Sequence, residues 1–373
     1  MRVLFSSGAL HGHVNTMLPL AHAARHAGHE VVVATGPDLT AHVERQGLPA
    51  WALGLTHAQA GGSRQASWLD YFAATAEARG AELLARARAW QPDVVVHEET
   101  ELAGAVVAAA TRARHVVHGL GLMPPARVWS PFVAAVERLA ERLGEPGAAL
   151  TRSDPTYLHI CPPALQPPGP PIWQRTQVLR PSGGGGEVDE GFARCLAGLP
   201  FTQTVHVTPG TVFNRTGNVL AGIIAALREQ PWNLVVTVGP DGDPSHMGPQ
   251  PPHVLLERYV PHAGLLPHCD AVVSHGGAGV MFAALAHGLP QLTLPQGADQ
   301  FMNAEACCRS GAGLSLASGD TSHGAIVAAV ERLLADPALG TAARAVQSEI
   351  AAMPDADAVV GSWAGPSAAR RGR

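Results

Sequence analysis

The sequence contains no lysine; all 25 of its basic residues are arginine. Charged residues make up only 15% of the chain, the net charge is −5 at pH 7, and no basic stretch is interleaved with aromatics. A nucleic-acid partner is therefore not expected. Cysteine is scarce too: Cys161, Cys195, Cys269, Cys307 and Cys308 are the five present. None forms a Cys-x-x-Cys pair, and an odd number argues against a disulfide framework. Buried free thiols in a reducing compartment are the expected state. No apolar run reaches the ~18 residues that would cross a membrane. The opening Met1-Arg2-Val3-Leu4-Phe5 is interrupted too soon, by Ser6-Ser7-Gly8, for a secretory signal. A soluble cytoplasmic protein without a membrane partner is expected, with a homodimer left open.

What is present points to an α/β fold. With 373 residues, 46% of them hydrophobic, there is material for two cores, in domains of roughly 150 to 200 residues. The 41 glycines and 31 prolines imply many sharply turned loops. Val3 to Phe5 reads as a strand, Met17 to Ala24 as a helix closed by Gly28, and Glu30 to Ala34 as a second strand. The rhythm repeats with a strand at 93–97, a helix at 102–110 and a strand at 115–118. Short β-branched runs without alternation indicate parallel strands covered on both faces. Residues 146–186 break the pattern with paired prolines and the Gly183 to Gly186 run, which read as irregular.

Beyond them the rhythm restarts. Strands are predicted at 204–207, 234–238, 254–258, 271–274 and 291–294. Helices are predicted at 220–229, 280–287, 300–309 and 323–335. Two such halves predict two Rossmann-like parallel-sheet domains facing a cleft, with ligands beyond the carboxyl ends of the strands.

The most informative stretch is Ala271 to Asn303. A strand runs straight into His275-Gly276-Gly277-Ala278-Gly279, and a helix follows. The glycines let a backbone approach a ligand, and a helix N-terminus offers bare N–H groups to a phosphate. A plain tight turn would use the same residues. Asp299-Gln300 together can accept from and donate to sugar hydroxyls, or simply begin a helix.

In the first half, Gly12-His13 follows strand one. An imidazole there can take a proton from an attacking hydroxyl, a role worth ~10²–10⁴ in rate. His11 carries the same chemistry. The base needs an orienting partner for its second nitrogen, and Glu98, Glu99 and Glu101 lie at the same sheet edge. All three acids would also suit the start of the next helix. The loop Trp51 to Phe72, with Trp68, Tyr71 and Phe72, and then Met123, Trp129 and Phe132, could line a pocket for a flat apolar acceptor or pack as core. Asp241-Gly242-Asp243 has the spacing of metal-dependent sugar transferases but reads as an exposed loop. No Gly-x-Gly-x-x-Gly with an acid about twenty residues on follows strand one, which argues against a dinucleotide site.

Tyr259-Val260-Pro261-His262, Leu265-Leu266-Pro267-His268-Cys269-Asp270, His275 to Gly279, Gly288-Leu289-Pro290-Gln291, Pro295, Asp299-Gln300, Asn303-Ala304 and Gly311-Ala312-Gly313 carry a family resemblance. In this order and spacing they resemble the donor-binding half of family 1 glycosyltransferases. More narrowly they resemble the bacterial branch that acts on polyketides and other natural products. Gly12-His13 with Pro19-Leu20-Ala21, Gly210-Thr211-Val212-Phe213-Asn214 and Cys161-Pro162-Pro163 are similar to that branch as well.

The resemblance implies a two-Rossmann (GT-B) inverting enzyme. It would move a deoxyhexose from a TDP- or UDP-sugar to a small hydrophobic acceptor, by attack of a hydroxyl or a ring carbon. The nucleotide sugar is a co-substrate; no cofactor and no metal are implied. By resemblance His275 and the Gly277, Ala278 and Gly279 amides would hold the diphosphate. Val260 would contact the base through its backbone, Asp299 and Gln300 the sugar, and Thr211 would join the donor site. His13 would be the base, with Glu98 favoured as its partner.

The implied organisation is an acceptor domain at 1–182, a linker at 183–200, a donor domain at 201–350, and at 351–373 a C-terminal helix returning toward the first domain. Two residues depart from the family pattern: Val280 stands where Thr or Ser is usual, and Thr16 where Pro is. They leave room for a non-catalytic auxiliary protein, and the fold is shared with nucleotide-sugar 2-epimerases.

Overall fold

The computed structural model describes residues 1–61, 67–147, 154–169, 172–210, 217–239, 242–317 and 319–364. They form two compact units. The first comprises Met1–Ile160, Pro168–Arg180 and Met353–Arg373; the second comprises Cys161–Pro167 and Pro181–Ala352.

In the first unit the elements are β1 (Arg2–Ser6), α1 (His11–His26), β2 (Glu30–Thr35), α2 (Pro37–Arg45), β3 (Ala50–Ala52), α3 (Trp68–Trp90), β4 (Val94–Glu98), α4 (Leu102–Thr111), β5 (Arg114–His118), α5 (Ala126–Arg142), β6 (Thr156–His159) and β7 (Arg175–Val178). They build a seven-stranded sheet in the order β3-β2-β1-β4-β5-β6-β7. Every pairing in it is parallel.

Apolar runs such as Val94-Val95-Val96 are buried because both sheet faces are covered. Val95 and Val117 pack with α3, α4 and α5 on one face, each such buried side chain being worth ~1.5–3 kcal/mol. Helix α4 lies so close to the sheet that a Cβ on Gly104 would stand 2.4 Å from the Cβ of His97. Any larger residue at 104 would therefore push α4 off its strand.

The second unit holds α6 (Glu190–Ala197), β8 (Thr204–Thr208), α7 (Gly217–Leu227), β9 (Asn233–Thr237), β10 (Val254–Glu257), α8 (His262–Leu265), β11 (Ala271–Ser274), α9 (Ala278–Ala286), β12 (Gln291–Thr293), α10 (Gln300–Arg309), β13 (Gly313–Ser315), α11 (His323–Ala335) and α12 (Pro337–Ala352). Its parallel six-stranded sheet runs β10-β9-β8-β11-β12-β13. After α12 the chain rejoins the first unit, where α13 (Ala356–Gly361) packs on α1. Arg180 tethers that return: its N–H donates to the carbonyl of Pro354 at 2.7 Å and its Nε to that of Met353 at 3.1 Å.

The two-halved α/β reading matches the sheets, with four differences in detail. The stretch 146–186 is not wholly irregular: β6 and β7 lie in it, because its prolines fall between the strands rather than within them. The expected linker contains α6, capped by Asp189, whose carboxylate accepts from Phe192 N–H at 2.9 Å. The expected loop up to Phe72 is already helical from Trp68, where the Ser67 hydroxyl accepts from Asp70 N–H. All five cysteines are free thiols, yet Cys195 and Cys308 are exposed rather than buried.

Candidate active site

In the first sheet the strand order turns back between β1 and β4. The connections leaving these two strands diverge, and the gap at their carboxyl ends is where such sheets take ligands. His13 and Glu98 flank that gap. His13 lies in the first turn of α1, which begins at His11, ahead of the helix read from Met17. Glu98 is the last residue of β4 and is completely buried.

The His13 Nδ1–H donates to Glu98 Oε1 at 3.0 Å, and the His13 side chain keeps 20% of its surface exposed. Gly8 N–H reaches the same oxygen at 3.3 Å. The other oxygen, Oε2, accepts Thr100 N–H at 2.6 Å and Thr100 Oγ1–H at 2.7 Å. Burial alone would raise the Glu98 pKa; His13 and Thr100 more than offset it and hold the carboxyl at about 2. Glu98 is thus ionised, and its bond to Nδ1–H leaves the lone pair of the imidazole on Nε2.

The other two acids are engaged elsewhere. Glu101 caps α4, accepting from Ala103 N–H at 3.1 Å and Gly104 N–H at 2.8 Å, and stands 3.9 Å from buried Arg79. Arg79 in turn donates to the carbonyl of Ser7, bracing the turn after β1. Glu99 accepts from Tyr157 OH at 2.8 Å and Leu120 N–H at 3.3 Å, and burial raises it to about 7. His11 sets its ring against that of His42 at 5.1 Å.

Sequence reasoning passed over Thr100, Gly8 and Arg79. Glu-x-Thr at a strand end was the one local signal for Thr100; Gly8 and Arg79 reach the site only through the fold. The Thr16 departure has a simple local account: its hydroxyl donates to the Gly12 carbonyl at 2.6 Å, one turn back in α1.

Of the expected acceptor residues, Phe72 lies beside His13 and Trp68 packs on it. The Phe72 ring lies 5.7 Å from that of His13 and 6.0 Å from Trp68, on which it stacks. Phe132 and Trp129 continue the row, with centroids 6.2 Å and 5.4 Å apart in turn. Trp68 and Met123 are half-buried. Tyr71 is fully buried, 2.9 Å from His57 Nδ1 through its hydroxyl, and so offers a ligand no surface.

In the second sheet the order turns back between β8 and β11. His275 follows β11 and Gly210 follows β8. A Cβ on Gly210 would stand 2.2 Å from His275 Cε1, and Gly210 has φ +76°, so glycine is required there twice over. Burial lowers the His275 pKa to about 4, so its ring is neutral at pH 7. Gly276, at φ +84°, turns the chain into α9. Gly277 caps that helix without a side-chain bond, so the Ala278, Gly279 and Val280 amides open it without intrahelical partners. Val280, the second departure, is buried in the cluster that includes Val260, Leu265 and Val272.

Asp299 is exposed at the start of α10 and accepts from Asn303 Nδ2 at 2.8 Å, while the same nitrogen donates to the Gly276 carbonyl at 3.0 Å. Asn303 thereby fastens the acid to the glycine loop. Buried Gln300 spends its Oε1 on Gln296 N–H at 2.7 Å and Gly297 N–H at 3.2 Å. Thr211 and Asp241 lie outside the described residues. Among the described residues no group of three or more His, Cys, Asp or Glu side chains is placed to hold a metal ion, and no helix is long and apolar enough to cross a membrane.

Known proteins resemble this chain in sequence and in fold. Residues 221–364 match the family described as erythromycin biosynthesis protein CIII-like, C-terminal domain. The chain is 32% identical over 379 residues to an L-demethylnoviosyl transferase of Streptomyces niveus, covering 95% of each. It is 33% identical over 378 residues to elloramycin glycosyltransferase ElmGT of Streptomyces olivaceus, covering 95% of this chain and 94% of that one. Among solved structures, the glycosyltransferase VinC in complex with dTDP superposes with a TM-score of 0.79 at 27% identity, over 97% of this chain and 98% of that one.

Proposed function

Because this chain belongs to the bacterial natural-product glycosyltransferases, we propose that it transfers a deoxyhexose from a TDP- or UDP-sugar, with inversion, to a small polyketide-like acceptor. The observation that carries the reading is the bond between partly exposed His13 and buried, ionised Glu98 at the turning point of the first sheet. Nε2 takes the proton of the acceptor hydroxyl as its oxygen bonds to the anomeric carbon. The carbon–oxygen bond to the diphosphate breaks on the opposite face, and the nucleoside diphosphate leaves. Glu98 stabilises the imidazolium formed in that step.

The α9 amides and neutral His275 take the diphosphate, where helix and N–H dipoles receive the charge of the leaving group. Asp299 is exposed at the start of α10 and offers its carboxylate to the sugar, whereas Gln300 acts chiefly by shaping the loop beneath it. Half-buried Trp68 and Phe132 give a flat aglycone an apolar surface, and buried Phe72 backs them beside the base. A dTDP complex of VinC, similar over nearly the whole chain, supports a thymidine diphosphate donor.

The test is a mass-shift screen of polyketide acceptors with TDP- and UDP-sugars, run beside His13→Ala. Product from the parent and a loss of at least ~10² in the variant are expected. Unchanged turnover in the variant would remove His13 from its role. A new sugar isomer formed without any acceptor would point instead to a 2-epimerase. Activity that appears only on adding a second protein would point to an auxiliary chain.

A further inference from the structure

We propose that Thr100 is a positioning residue that reinforces the tautomer Glu98 sets on His13, keeping the lone pair on Nε2; this rests on His13 being the base. The geometry shows how. Thr100 Oγ1 lies 2.7 Å from Glu98 Oε2 and 3.3 Å from His13 Nδ1. A hydroxyl has a single proton and two lone pairs. The carboxylate oxygen can only accept, so that proton goes to Oε2. Toward Nδ1 the hydroxyl then presents a lone pair.

An unprotonated Nδ1 would face two lone pairs, from Thr100 Oγ1 and from Glu98 Oε1. A protonated Nδ1 finds two acceptors. The Thr100 N–H fixes the same carboxylate oxygen at 2.6 Å, so the plane of the carboxylate cannot swing away from the imidazole. Gly8 N–H holds the other oxygen at 3.3 Å. Each carboxylate oxygen thus has two donors, and Thr100 supplies both on one side. Glu98 alone would tolerate small rotations in which Nδ1–H loses its alignment; the hydroxyl closes off that freedom. Thr100 is half-buried at the surface of the dyad, so the proton it directs is screened only partly by water.

The test uses Thr100→Val, which keeps the shape and the backbone N–H but removes the hydroxyl, and Thr100→Ser, which restores it. A hydrogen bond to a charged group is worth about one to two powers of ten in rate. We expect Thr100→Val to lose about 10- to 100-fold in kcat, with acceptor KM and TDP affinity within about twofold of the parent. Thr100→Ser should stay within about threefold.

Nitrogen NMR of histidine-labelled protein, with the His13 signals assigned by their loss in His13→Gln, reads the tautomer directly. The parent should show Nδ1 protonated, and Thr100→Val a mixture. Equal losses in the Val and Ser variants, or a Val variant as active as the parent while His13→Ala is dead, would overturn the proposal. So would an unchanged Nδ1–H tautomer in Thr100→Val. An active His13→Ala would instead bring down the reading of the base, while the NMR comparison would still decide whether Thr100 reinforces the tautomer.

Discussion

Replacing Glu98 by glutamine tests the dyad most sharply, because the side chain keeps its size and loses only its charge and one acceptor. Four donors converge on the carboxylate: His13 Nδ1–H, Gly8 N–H, Thr100 N–H and Thr100 Oγ1–H. An amide has one oxygen. If its NH2 takes the place of Oε1, donors face His13 and Gly8; if it takes the place of Oε2, they face Thr100. The first arrangement pushes the His13 proton onto Nε2, where the base needs a lone pair. The fall of the Glu98 pKa from 4.5 to about 2 means the fold favours the ionised form by roughly 3 kcal/mol. That preference is at full strength above the unfolded pKa and is lost as pH falls toward 2.

The amide removes the charge that stabilises the imidazolium, and the wrong tautomer adds to that loss, so the two together reach up to about 10⁴ in rate. We therefore expect Glu98→Gln to lower kcat by ~10²–10⁴ at saturating nucleotide sugar. The assay is product formation by chromatography, with acceptor varied to separate kcat from KM. TDP affinity by calorimetry should stay within about twofold, since the diphosphate residues belong to the other unit. A folded variant with kcat within about threefold of the parent would refute the reasoning.

Other outcomes follow from single contacts. Glu99 is raised from 4.5 to about 7 by burial, so between those values the folded chain keeps a proton that the unfolded chain has lost. Its contribution to stability therefore falls, by about 3 kcal/mol in all, as pH rises through that window. Glu99→Gln should melt like the parent near pH 4.5 and several degrees higher at pH 8; parallel melting curves across the range would contradict this. Gly210→Ala places a Cβ 2.2 Å from His275 Cε1 at a positive φ, and should weaken TDP binding about tenfold or more, as read by calorimetry. Equal affinity would mean that His275 does not touch the nucleotide. Trp68→Ala should raise acceptor KM several-fold and leave TDP affinity unchanged, because Trp68 stacks on Phe72 beside His13; an unaltered KM would take Trp68 out of the acceptor site.

The sequence alone determined the alternation of strands and helices in both halves, since buried parallel strands need unbroken β-branched runs such as Val94-Val95-Val96 and their helices need regular apolar spacing. It also determined the glycine loop ahead of α9, because a strand meeting a helix through His275-Gly276-Gly277 is a local feature, read within a few residues. Strands β6 and β7 stayed hidden since each is a four-residue strand among prolines, and their pairing comes from neighbours far along the chain. The choice among Glu98, Glu99 and Glu101 was likewise tertiary. Three acids within four positions are indistinguishable in sequence. Their environments part only when β4 aims Glu98 at α1, β6 brings Tyr157 to Glu99, and α4 draws Glu101 to its own amides. Charge and proton position depend on those contacts at hydrogen-bond range, and such distances are set by how the elements pack, not by their order along the chain.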